Sequence, residues 1–121
     1  MSALQPLLER AFKTVPAREA NLEIAGQRNQ LGGPGREALS YEVVLEPATT
    51  LEEAAERLLP KLVYFLDCRG LPLHDARGVF LSVFVAETLY FVHATDFVAE
   101  LAAAAGVSLA ELVKRHGAAS V

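Results

Sequence analysis

Cys68, Arg69, His74 and Asp75 crowd into one short span flanked by Asp67 and Arg77, and together they hold the side-chain types of a nucleophile, a base and an orienting carboxylate. His93 and Asp96 follow at the end of a later apolar run. The spacing from Cys68 to His74 and Asp75 matches no metal-ligand or catalytic pattern. The plainer reading gives these groups to helix-end charges and loop hydrogen bonds. Arg69, His74, Asp75 and His93 are therefore carried forward as candidate ligand-binding residues, with no catalytic assignment and no metal or cofactor expected.

His93 has its own alternatives. An imidazole buried in an apolar strand could switch charge near neutrality or ligate. Its plainer role is a hydrogen bond across the strands to Ser82, because buried polar groups usually find one such partner. A further polar feature is the run Gly32-Gly33-Pro34-Gly35-Arg36. Backbone amides and one arginine could cradle an anion there, but the run opens no helix, lacks the spacing of a nucleotide loop, and loses a donor at Pro34. A flexible hairpin loop accounts for the same residues.

These candidates must be held by regular elements. Leu4, Leu7, Leu8, Ala11 and Phe12 recur at helical spacing, which predicts a helix over 3–14 stopped by Pro16. Weak alternation over 21–28 and a clearer one over 39–46 predict two strands joined through the Gly-rich loop as a hairpin. Thr50 and Glu53 form a capping box, and the apolar stripe from Leu51 to Leu66 predicts one helix, kinked near Pro60. Residues 67–78 read as a loop. The apolar runs 79–85 and 89–93, separated by Glu87 and Thr88, predict a second hairpin with Ala86 opposite Leu89 and both faces apolar. Such a hairpin needs cover on both faces, from helices or from a partner chain. Thr95 caps a helix to Ala105 ending at Gly106, and Ser108 with Glu111 starts a last helix to His116.

The expected architecture is a single α+β domain over 1–121, an antiparallel sheet of about four strands in two hairpins, in the order α-β-β-α-β-β-α-α. Its 52% hydrophobic and 21% charged residues are enough for a well-filled core and exclude disorder over most of the length. A net charge of −4 disfavours non-specific binding to nucleic acid or an anionic membrane. The single cysteine, Cys68, excludes an internal disulfide and a thiolate zinc site. Glu9, Arg10 and Lys13 interrupt any signal-like stretch, and no run is long and apolar enough to span a membrane, so the expected location is the cytoplasm. Arginine outnumbers lysine, as in many thermophiles and in GC-rich genomes.

Two resemblances bear on function. The segment 102–114, Ala-Ala-Ala-Ala-Gly-Val-Ser-Leu-Ala-Glu-Leu-Val-Lys, resembles the helix-Gly-x-Ser-helix junction of ribbon-helix-helix and helix-turn-helix DNA-binding proteins, which would imply DNA binding through the last two helices. It departs from that pattern where Leu89-Tyr90-Phe91-Val92 replaces a polar recognition strand and Arg115 replaces an apolar helix position. The element order also looks like that of small, acidic, dimeric secretion chaperones, with one strand missing. Three functions are thus in view. The first is a non-enzymatic protein-interaction module acting as a homodimer, the second a small-molecule or anion-binding domain using the 67–78 loop, and the third a DNA-binding protein. The first is the leading expectation.

Overall fold

Thr50 caps the longest helix: its hydroxyl accepts the Glu53 amide and donates to the Glu53 carboxylate, both at 3.1 Å. The helix runs unbroken from Leu51 to Cys68 with Pro60 inside it. The computed structural model describes residues 3–71, 76, 78–108 and 110–112. Its elements are α1 (Gln5–Leu8), β1 (Lys13–Pro16), a 3₁₀ turn (Ala17–Glu19), α2 (Ala20–Leu31), β2 (Leu39–Leu45), α3 (Leu51–Cys68), β3 (Val79–Val85), β4 (Thr88–His93) and α4 (Ala94–Ala105).

The four strands form one mixed sheet in the order β1-β4-β3-β2. β3 and β4 make the expected hairpin, while β1 pairs antiparallel with β4. β2 runs parallel to β3, in register from Leu39 beside Val79 to Leu45 beside Val85. A parallel neighbour requires a crossover, and α3 is that crossover. The sheet is therefore not purely antiparallel, and the first expected hairpin does not exist.

Two elements differ from the sequence expectation for identifiable reasons. Residues 21–28 lie in α2, not in a strand. Leu22 and Ile24 suggest alternation, but two residues apart on a helix they point in nearly opposite directions. Leu22 is accordingly 84% exposed while Ile24 is buried. The remaining Glu23, Ala25, Gln27 and Arg28 are good helix formers. At the N-terminus only Gln5–Leu8 is helical, and Lys13–Pro16 is strand. Val15 and Thr14 favour extended backbone, and Pro16 is tolerated because β1 lies on a sheet edge.

The hairpin register also differs. Val85 sits opposite Thr88, so the turn is Ala86-Glu87 and every pair is displaced by two residues from the expected one. A two-residue displacement preserves which side chains share a face. Ala86 takes a positive φ of 54°, a conformation glycine adopts more easily.

Both faces of the sheet are covered by this chain. On one, Val43, Leu45, Leu81, Val83 and Val92 pack with Leu58, Leu62 and Leu66 of α3 and Phe97, Val98 and Leu101 of α4. On the other, Phe80, Leu89 and Phe91 pack with Ala20 and Ile24 of α2. The hairpin lies inside the protein as expected, and no second chain is needed to cover it. At its end, Gly106 (φ 72°) closes α4, with its own amide on Ala103 O at 3.1 Å and the Val107 amide on Ala102 O at 3.0 Å. Thr95 does not cap α4: its hydroxyl accepts the Ala76 amide at 3.3 Å. Ser108 does accept the Glu111 amide at 3.1 Å, and residues 110–112 are helical. The rest of the expected last helix, with Lys114 and Arg115, lies outside the described residues.

Candidate functional site

Of the four ligand-binding candidates, His74 and Asp75 lie outside the described residues, as does Arg77. Arg69 ends α3, where one guanidinium nitrogen donates to Phe65 O at 3.1 Å and the group lies 3.9 Å above the Phe65 ring. His93 ends β4 and is exposed. Its ring stacks on Phe12 at 4.3 Å between centroids. The expected hydrogen bond to Ser82 is absent, since Ser82 faces Phe91 across the strands and His93 faces Phe80. The Ser82 hydroxyl is fully buried without a hydrogen-bond partner among the described residues. Arg69 and His93 share no hydrogen bond or ring contact.

Arg69 instead meets residues that sequence spacing keeps far from it. Gly32, Gly33, Arg36 and Glu37, in the connection from α2 to β2, face Arg69 and Leu71 across a cleft of about 650 Å³. The connection is no hairpin tip: Ala38 N donates to Arg28 O at 2.8 Å and Arg36 N to Gly33 O at 3.0 Å, folding it back on α2. Gly32 permits this, because a Cβ there would collide with Arg36 O and come within 2.9 Å of Ala38 N. Nothing in the sequence links Arg36 to Arg69 except that both flank elements joined through β2.

A second hollow of about 410 Å³ lies between β2 and α3, lined by Tyr41, Pro60, Lys61, Tyr64, Phe65 and Arg69. Tyr41 meets Phe65 edge-on at 4.9 Å between centroids. On the outer face of α3 the exposed Tyr64 phenol is held above its ordinary pKa. The main cause is a hydrogen bond with Cys68, followed by the charge of that group and then by slight desolvation.

The two edges of the sheet are unlike. β1 has four residues, including Lys13 and Pro16, both of which discourage further pairing. β2 has seven residues and neither lysine nor proline. Leu39 N donates to Gly78 O at 2.7 Å, so its backbone faces β3. By alternation, Ser40, Glu42 and Val44 direct their N–H and C=O groups outward. Val44 is 69% exposed.

Chemically, the described residues offer binding surfaces. No group of three His, Cys, Asp or Glu among them is placed to hold a metal, and no described helix is long and apolar enough to cross a membrane. Compared with known protein families, with curated proteins and with solved structures, the chain finds no match.

Proposed function

We propose that this chain is a non-enzymatic protein-interaction module that works as a homodimer, with β2 pairing antiparallel to β2 of a second copy. The observation that supports it is the outer edge of β2, which no strand pairs among the described residues, with Val44 exposed along it. An open edge of this length is a template for another strand.

The side chains favour one register. A two-fold axis at Val43 sets Glu42 opposite Val44 of the other copy, twice over, and joins the two sheets into one of eight strands. An axis at Glu42 would set two carboxylates directly opposite, which is unfavourable. Because Glu42 and Val44 both turn their backbones outward, the Val43 axis makes them hydrogen-bonded pairs. The contact is isologous and closed, the commonest form of association.

The test is sedimentation at micromolar concentration with Val44→Pro beside the wild type. Proline is tolerated where the lost N–H faces outward, so the variant is expected to fold, shown by an unchanged circular dichroism spectrum, and to be monomeric. A wild type that sediments as a monomer, or a Val44→Pro protein that remains a dimer, contradicts the proposal.

A further inference from the structure

We infer that the cleft between the α2–β2 connection and the end of α3 binds a small organic anion with an apolar body, held by Arg36 and Arg69. Its volume of about 650 Å³ lies within the range of small-molecule sites. In an acidic chain, two arginines line one cleft. Neither forms an ion pair with a carboxylate among the described residues. Among the described residues lining the cleft the one carboxylate, that of Glu37, is already paired with Arg28 at 2.9 Å and so does not neutralise either arginine.

The site is also preorganised. Arg69 is anchored by the Phe65 carbonyl and ring, which use one of its five N–H donors and leave the others available to a forked acceptor. Arg36 sits on a connection that Gly32 and two backbone hydrogen bonds fold tightly. An anchored Arg69 and an Arg36 whose backbone is already folded lower the ordering cost of holding one anionic group. Elsewhere on the wall Leu31, Leu39 and Leu71 offer an apolar surface. A bare inorganic ion leaves that surface unused, whereas a phosphate or carboxylate on a hydrocarbon or aromatic body covers it.

This site is separate from the outward edge of β2 and stands or falls independently of the dimer. The test is a titration of the protein with phenyl phosphate, inorganic phosphate and phenol, followed by amide NMR. Phenyl phosphate is expected to shift the Gly32, Gly33, Arg36 and Leu71 signals saturably and to bind more tightly than inorganic phosphate, with phenol leaving them unmoved. Arg36→Gln, on an exposed loop and checked for a dispersed spectrum, is expected to weaken phenyl phosphate at least about tenfold, as loss of a charge-assisted pair does. Arg57→Gln on the exposed face of α3 makes the same change in net charge and is expected to leave the affinity unchanged. The inference is overturned if both variants weaken binding equally, if shifts are unsaturable or spread over the surface, or if phenol or inorganic phosphate binds as well as phenyl phosphate.

Discussion

The rings of Phe12 and His93 stack 4.3 Å apart, pinning the segment before β1 to the last residue of β4. The Phe12 amide adds a bond to Phe91 O at 2.8 Å. Because Phe12 is 37% exposed, its ring contributes modestly. Phe12→Ala is expected to cost about 1 kcal/mol in denaturant unfolding and to abolish the ring-current shift of the His93 imidazole protons. An unchanged His93 spectrum would mean that the rings do not stack in solution.

Helix α3 carries the larger stake. Leu62 is 1% exposed in the main core, and Leu62→Ala is expected to destabilise by roughly 2 to 5 kcal/mol. Glu56, on the exposed side of the same helix, is expected to tolerate alanine within about 0.5 kcal/mol. Equal losses at the two positions would contradict the orientation of the helix.

Ser82 offers the opposite sign. Its hydroxyl is buried opposite Phe91 without a partner among the described residues, so the folded state bears a desolvation cost that alanine removes. Ser82→Ala is expected to leave stability unchanged or raise it by up to about 1 kcal/mol. A clear loss would show that the hydroxyl has a partner in solution.

Ala86 stores strain at the hairpin turn. With φ at 54°, glycine fits better, and Ala86→Gly is expected to raise the unfolding midpoint by an amount equivalent to roughly 0.5 to 1 kcal/mol. The β3–β4 amide pattern should stay in place, and a lower midpoint would argue for a different turn.

Cys68 affects its neighbour more than the fold. It is exposed at the end of α3, so Cys68→Ala is expected to change stability by less than about 0.5 kcal/mol. The same substitution removes the hydrogen bond and charge that favour the protonated Tyr64 phenol, so the Tyr64 pKa should move down toward its ordinary value. Titration of the Tyr64 ring signals reads this, and a static pKa would remove Cys68 as the cause.

What the sequence disclosed follows from how each signal is carried. The stripe from Leu51 to Leu66 and the apolar runs 79–85 and 89–93 repeat their period long enough to outweigh chance, and their elements formed as expected. Helix α2 buries only Ala20, Ile24 and Gln27, so its stripe is too thin to reveal the period. β1 is four residues long and owes its conformation to β4, a partner far along the chain. The parallel pairing of β2 with β3 has no local mark, since the same strands separated by a helix could pair in other ways. The same limit governs the site. Arg69 and the Gly32–Arg36 run were each visible as polar features, but only the parallel pairing brings them to one cleft.

That topology also fixes an order of events. β1 has one strand neighbour, β4, and Lys13 finds its place opposite Phe91, while α1 packs on α4. A chain emerging from the ribosome makes these segments well before the surfaces they dock on. Until β4 and α4 have been synthesised, α1 lacks the helix it packs on and β1 lacks its strand partner. The hairpin β3–β4, closed by two residues, can form quickly, whereas the β1–β4 pair must close a loop spanning most of the chain. The segment from Leu4 to Pro16 therefore completes its packing only once β4 and α4 have been made, and the growing chain must keep its apolar residues from other contacts until then.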